Sequence, residues 1–538
     1  MHLTKNVVLY FALFLSVLIF ICGLLLHDYP MADVASRYAP MTEAFAEGDW
    51  NFAFHPRIQI LHICCGGIIC FLTGLDGFTS VKIASALWHA GSMILLYFML
   101  RDVYRKNNLI ALAGTVFFSW YPYAFHVGIS GLRDSAKTTL LILIAWGLIK
   151  IMRNSRMWSG YILLGLGCMS AMIVRCDTIM TGVTCLYIGM IIECREKSFP
   201  FHSLLPAAMT GIMIVIAGSI NWHFAGAAMP DYRFVKVFYD FTGKMPNVQD
   251  LLLIIAIVLP LMMITAKAAF FCINNLGIST FVELLILGTV ILSLYSASTA
   301  TPKQIEHFFS ELSKGFYNCV GLFILLTILT RLWKNKLTAP EMILILTVLV
   351  NAVLNIAPMQ IFHKTFYIPS RYLYVALPLW SGFFIIGIQG IYDFLGKHLS
   401  PQLRKTVLYA SCLAVAGSFL FHDIQMLHRD YTRNYVRRAS AMQLVKMIRS
   451  DYDGPATGEI IQTLNVYKSK KRPRIFFKEL SRITVTAYLS GGSLADWYKD
   501  ADYVVTTGNL GKVPVKLKLI GKTDVPGQPE YSLWRVIK

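Results

Sequence analysis

The densest concentration of groups able to do chemistry lies in residues 27–62, HDYPMADVASRYAPMTEAFAEGDWNFAFHPRIQILH. Within these 36 residues stand Asp28, Asp33, Arg37, Tyr38, Glu43, Glu47, Asp49, His55, Arg57 and His62. A carboxylate at the mouth of a cavity can take the proton of an attacking hydroxyl or amine. Carboxylates can also hold a divalent ion beside a phosphate, and Asp33, Asp49 and Glu47 could supply oxygens to Mg2+ or Mn2+ in that way. Spacing alone allows a third reading, a solvated loop whose charges do nothing in particular. The surroundings favour function, because the patch follows an apolar block, Val7–Leu26, and runs into another at 59–75.

The elements that must position this patch are membrane helices. Of 538 residues 56% are apolar and only 15% charged, and the mean hydropathy is +0.56, too little charge for a soluble surface. The apolar residues come in blocks long enough to cross about 30 Å of hydrocarbon at 1.5 Å per residue. Thirteen spans are expected, at 8–26, 82–100, 109–127, 137–152, 158–174, 178–192, 204–222, 250–268, 281–297, 316–331, 339–357, 372–394 and 406–422. The first is expected to be retained, since no small-residue cleavage site follows it. Basic clusters then mark one side: Arg101 to Lys106, Arg153 and Arg156, Arg195 and Lys197, Arg331 to Lys336, and Lys397 to Lys405. By the positive-inside rule that side is the cytoplasm and the N-terminus lies there. The block 59–75 would reverse every later loop if it crossed, so it is expected to lie at the outer interface or to enter only partway.

The net charge of +19 would suit a nucleic-acid binder, but its distribution does not. Much of it sits in the short clusters between spans. From Asp423 onward there are 20 Lys or Arg against 11 Asp or Glu, an excess suited to anionic headgroups or to an anionic substrate. None of the eleven cysteines falls after Cys412, which argues against a disulfide scaffold or a metal cluster in the tail. The chain therefore divides into a membrane region, 1–422, with a first outer loop at 27–81, and an extracytoplasmic region, 423–538. The latter opens with a helix near 430–450. Short β-branched stretches follow at Arg482–Leu489, Asp502–Thr507, Val513–Leu519 and Tyr531–Ile537, as in a small α/β domain.

In Asp33 followed by Tyr38, then Gly48-Asp49-Trp50, then His55-Pro56 opening an apolar helix, the loop resembles the first outer loop of the GT-C superfamily. These are polyprenyl-phosphate-sugar glycosyltransferases, and the likeness is to bacterial relatives of protein mannosyltransferases and of the lipid A aminoarabinose transferase. Arg133-Asp134, the run Tyr367 to Tyr372 containing Arg371, and the ending Tyr531-Ser-Leu-Trp534-Arg535 agree with it. Three details depart from the pattern: the acidic residue stands five rather than four positions before the tyrosine, Arg57 replaces a second proline, and Val34 replaces a glutamate.

The resemblance implies an all-α polytopic protein of about 13 spans that transfers a sugar, with inversion, from a polyprenyl phosphate at the outer face of a bacterial plasma membrane. Asp33 would be the catalytic carboxylate, with Asp28 its understudy. Arg371, Lys364 and Arg133 would meet the leaving phosphate, and Asp134 would orient the loop. His55 and Tyr38 would shape the sugar or acceptor pocket. The second charged pair, Arg175 and Asp177, is expected to be structural, and His62 to be a packing residue. No cofactor is implied, although Mg2+ or Mn2+ is needed in some branches. The partners would be the lipid-linked donor, a glycan, lipid or protein acceptor, and membrane lipids, but no nucleic acid. The competing classes are a lipid-linked sugar transporter or flippase, an O-antigen-type polymerase or ligase, and a non-enzymatic scaffold. A transporter should carry mid-bilayer charge and an internal repeat, which the spans lack.

Overall fold

The computed structural model describes residues 20–27, 33–54, 60–105, 107–194, 200–273, 301–315, 319–363, 377–397 and 399–451, parts of the tail, and shorter pieces between these segments. Helices dominate. A π-helical turn, Val34–Tyr38, continues into α1 (Ala39–Ala46), followed by α2 (Leu61–Thr73) and α3 (Gly77–Val103). Next come α4 (Asn108–Trp120), α5 (Pro122–Ile129), α6 (Asp134–Arg153), α7 (Trp158–Ala171), α8 (Cys176–Cys194), α9 (Leu204–Ala225) and α10 (Val248–Ile273). The bundle closes with α11 (Cys319–Trp333), α12 (Ala339–His363), α13 (Leu377–Leu395) and α14 (Pro401–Asp451). Among the described residues five helices are long and apolar enough to cross a membrane: Gly77–Val103, Asp134–Arg153, Asp177–Cys194, Leu204–Phe224 and Val248–Phe270. The molecule is a multi-pass membrane protein.

Local chemistry sets the helix ends near the patch. Asp76 caps α3 by accepting from Thr79 N at 3.0 Å, and Asn107 caps α4 by accepting from Leu109 N and Ile110 N. The expected single span at 109–127 is two helices. Tyr121 stands before Pro122, is driven to an extended conformation (φ −69°, ψ 122°), and breaks the helix there. Helix α2 has 13 residues, about 20 Å of rise, too short to cross. One face of it is buried at His62 and Ile63, while Phe71 and Leu72 are exposed. A Cβ on Gly67 would stand 2.3 Å from Phe45 Cδ1, so the glycine lets α1 lie directly on α2.

The tail is one continuous helix followed by a sheet. No proline interrupts 402–451, and α14 runs unbroken across the boundary at 422 for 51 residues. Beyond it lie β1 (Arg474–Phe477), β2 (Ser493–Leu494), β3 (Tyr503–Thr507), β4 (Lys516–Lys522) and β5 (Tyr531–Ile537), in the spatial order β2-β1-β3-β5-β4. The pairs β1–β2 and β1–β3 are parallel, and β3–β5 and β4–β5 antiparallel. Alternate residues of β3 face opposite ways: Tyr503 and Val505 pack with Leu444 and Ile448 of α14, Val504 with Val536. Asp451 accepts from Tyr503 Oη at 3.0 Å and ties the helix end to the sheet. The expected strand at 482–489 lies outside the described residues.

Candidate functional site

Asp33 stands at the N-terminus of the π-helical turn, and the turn has a covalent cause. Pro40 lacks the N–H that would bond Ser36 in a regular helix, and the Ala39 N–H reaches five residues back to Val34 O. The wider turn leaves Asp33 partly exposed (38% of its side chain), with Arg37 Nη1 at 3.8 Å from Oδ1. Five residues on, Tyr38 is buried (6% exposed). Its ring meets His62 edge-on at 5.9 Å between centroids, and the Arg133 guanidinium lies 5.8 Å from its centre. Burial pushes the Tyr38 hydroxyl pKa up. Arg133 opposes the rise, and Asp33, Asp134 and Arg175 also act on it through their charges. The first loop and two later turns thus converge on one tyrosine.

Beneath it the chain bends sharply between α5 and α6. Gly131 takes φ +77°, a conformation that favours glycine, and its carbonyl lies 3.0 Å from His62 Nε2, which anchors α2 to the bend. Two residues later Arg133 Nη1 donates to Val174 O at 3.3 Å, at the turn that ends α7. Asp134 then starts α6.

Four charged side chains close on one another here. Arg175 donates from Nη1 to Asp134 Oδ1 at 3.0 Å and from Nε to Asp177 Oδ1 at 2.8 Å. Lys137 Nζ donates to the other oxygen of Asp177. All four are at most 4% exposed. Two cations meet two carboxylates, so the group carries no net charge and satisfies itself by hydrogen bonds, the condition under which buried ions are tolerated. The network joins the first turns of α6 and α8.

A second anchor holds the preceding helix. Lys82, in the first turns of α3, donates to Leu24 O at 2.9 Å and to His27 O at 2.6 Å. It thereby fills carbonyls left open at the end of the helix at 20–26, where a cation is also favoured by the dipole. Glu43 accepts from Gly77 N at 2.9 Å and ties α1 to the start of α3.

The structure thus brings Asp33, Tyr38, Arg133 and Asp134 together, four of the seven residues singled out from the sequence. His55, Lys364 and Arg371 lie outside the described residues, as does Asp28. Arg175 and Asp177, expected to form a separate pair, belong to the same cluster through Asp134, and His62 packs under Tyr38 as expected. Asp49 serves as a helix cap, accepting from Phe52 N at 3.3 Å. Among the described residues no three His, Cys, Asp or Glu side chains gather closely enough to hold a metal. Lys82 and Lys137 were missed. Each is a lysine in the first turns of an apolar helix, a position that reads as snorkelling, and only Asp177 forty residues away distinguishes Lys137. The charges do remain in terminal turns rather than at mid-helix.

Residues 67–222 match the sequence family described as dolichyl-phosphate-mannose-protein mannosyltransferase. The match begins within α2 and takes in Arg133, Asp134, Lys137, Arg175 and Asp177. No curated protein sequence matches the chain. Among solved structures, the oligosaccharyltransferase of Archaeoglobus fulgidus tethered to an acceptor peptide superposes with a TM-score of 0.50 at 11% identity, covering 92% of this chain and 69% of that one. The ArnT of Cupriavidus metallidurans bound to undecaprenyl phosphate is similar over nearly its whole length, with a TM-score of 0.43, 12% identity, and 98% and 97% of the two chains covered. In the apo state ArnT gives a TM-score of 0.40 at 11% identity, covering 99% of this chain and 98% of that one.

Proposed function

We propose that this chain is a GT-C glycosyltransferase that moves a sugar from a polyprenyl phosphate to an acceptor at the outer membrane face, a reading supported by its fold and by the family match of residues 67–222. The observation that carries the reading is the convergence of Asp33, Tyr38 and Arg133 on a buried, neutral charge network at one end of the bundle. The basic clusters Arg101–Arg105, Arg153–Arg156 and Arg331–Lys336 lie at the opposite helix ends, and by the positive-inside rule this supports a reading with Asp33 outside the cytoplasm, the N-terminus inside and the tail outside. No nucleotide sugar is available there, so a lipid-linked donor suits the site.

In this reading Asp33 is the base. An acceptor hydroxyl or amine attacks the anomeric carbon and the bond from that carbon to the phosphate oxygen breaks. The acceptor proton passes to Asp33, and the polyprenyl phosphate departs with the bonding electrons. Attack opposite the leaving phosphate inverts the anomeric centre. Charge grows on the phosphate as it leaves, and Arg133, with Arg371 and Lys364, supplies cations for it. Tyr38 holds Arg133 by its ring and stays protonated, since burial raises its pKa. Asp134, Arg175, Asp177 and Lys137 position the loop rather than react. The family that residues 67–222 match makes mannose the first sugar to try and protein the first acceptor.

Reconstituted protein should be offered radiolabelled sugars on polyprenyl phosphates, alongside the matching nucleotide sugars and a membrane extract as acceptor. Transfer from one lipid-linked sugar with inverted configuration is expected. Transfer from the nucleotide sugars, or retention of configuration, would overturn the reading.

A further inference from the structure

At the opposite ends of the same helices lies a cavity of about 740 Å3, bounded by the end of α3, by α11 and α13, and by the turn joining α11 to α12. Helix α3 has 27 residues, so about 40 Å of rise separates its two ends, and the cavity and the Asp33 cluster share no residue. One wall is apolar, formed by Phe323, Ile386, Ile391 and Phe394. The mouth is basic, with Arg105, Lys334 and Lys336 all exposed.

The floor is polar and incompletely satisfied. Glu341 is 1% exposed. Its Oε2 accepts from Arg331 Nη2 at 2.9 Å, Thr338 N at 2.8 Å and Thr338 Oγ1 at 2.9 Å. Its Oε1 is buried with no hydrogen-bond partner among the described residues, and so are Arg331 Nε and Tyr104 Oη. Burying such atoms unpaired is unfavourable. The residues that carry them border a cavity large enough for a ligand.

We propose that this cavity binds an anionic phospholipid from the membrane leaflet opposite the Asp33 site. The phosphate would lie among Arg105, Lys334 and Lys336 at the mouth, and one chain along the apolar wall. Four cations line the cavity against the carboxylates of Glu341 and Asp393, so the balance favours an anion. The apolar wall requires that the anion carry a hydrocarbon chain. This inference does not depend on the sugar-transfer reading.

The test is native mass spectrometry of the delipidated full chain titrated with phosphatidylglycerol, with phosphatidylcholine as the neutral control and glycerol 3-phosphate as the chainless one. Wild type should retain phosphatidylglycerol over phosphatidylcholine. The double variant Lys334→Ala/Lys336→Ala, which alters only exposed side chains, should lower that affinity roughly thirtyfold, as two juxtamembrane lysines imply. Gly390→Leu should abolish it, because Gly390 lines the cavity and a Cβ there meets nothing within 4 Å. Both variants should melt like wild type. Equal binding of the two lipids, or unchanged phosphatidylglycerol binding in Gly390→Leu, would overturn the proposal. Displacement of the lipid by glycerol 3-phosphate, with that phosphate still bound by Gly390→Leu, would overturn it in favour of a free-phosphate site.

Discussion

The first loop and the two turns beneath it both set carboxylates beside arginines, and they hold them in different ways. Asp177 is 3% exposed and gives one oxygen to Arg175 at 2.8 Å and the other to Lys137. Asp33 keeps 38% of its side chain exposed, with Arg37 at 3.8 Å. A carboxylate bound at both oxygens to buried cations has its charge committed and makes a poor base. One that stays partly exposed, with a single cation at 3.8 Å, can receive a proton. The difference teaches that the charged pairs at the helix ends form a rigid frame, while Asp33, the base in the proposed reaction, rides on the irregular turn that Pro40 imposes.

If that division is right, Asp33→Asn and Asp177→Asn fail in opposite ways. The first should lower steady-state transfer by about 10²- to 10⁴-fold, the usual contribution of a positioned base, with an unchanged melting temperature. Changes in the frame should act on stability. Lys137→Met leaves a buried carboxylate short of a cation and should destabilise by about 3–5 kcal/mol, and adding Asp177→Asn should recover much of that, because the pair of Asp134 and Arg175 remains balanced. Thermal melts of the single and double variants check this, and equal melting of the two would break the comparison.

Arg133→Gln should lower kcat for transfer from the lipid-linked donor about tenfold, the loss of one charged hydrogen bond to the departing phosphate, with a smaller change in KM, measured by initial rates against donor concentration. A smaller effect is expected of Tyr38→Phe. Because burial raises the Tyr38 pKa above that of an unfolded tyrosine, ionisation favours the unfolded chain once pH passes about 10. The stability that the neutral phenol supports is present below that pH and declines above it. The phenylalanine variant should lose less stability than wild type between about pH 10 and 11, read by melting at each pH. The smallest effect belongs to the tail: Asp451→Ala removes the bond to Tyr503 and the contact with Arg535 at 3.5 Å. It should cost about 1 kcal/mol of tail stability and leave transfer within twofold.

Much of this was legible in residue types and order. The density of ionisable groups at 27–62 marked the loop that carries the proposed base, and the lack of proline between Pro401 and Asp451 was there to be read as one long helix. Less was legible where a residue's meaning depends on a distant one. Lys82 is explained by the carbonyls of Leu24 and His27, and Lys137 by Asp177. Sequence spacing shows neither closure, and each lysine taken singly matches the ordinary pattern of a cation at a helix end. The break at Tyr121–Pro122 was signalled by the proline but hidden by the even hydropathy of 109–127. The part of the site expected at 364–372 lies outside the described residues.

The most direct test is a single turnover. Wild type and Asp33→Asn are loaded with the lipid-linked sugar identified in the transfer assay, acceptor is added at saturation, and product is followed over time. Asp33→Asn should bind donor as tightly as wild type and release product at least about 100-fold more slowly. Product formed at the wild-type rate, or donor binding lost in the variant, would contradict the assignment of Asp33 as the base.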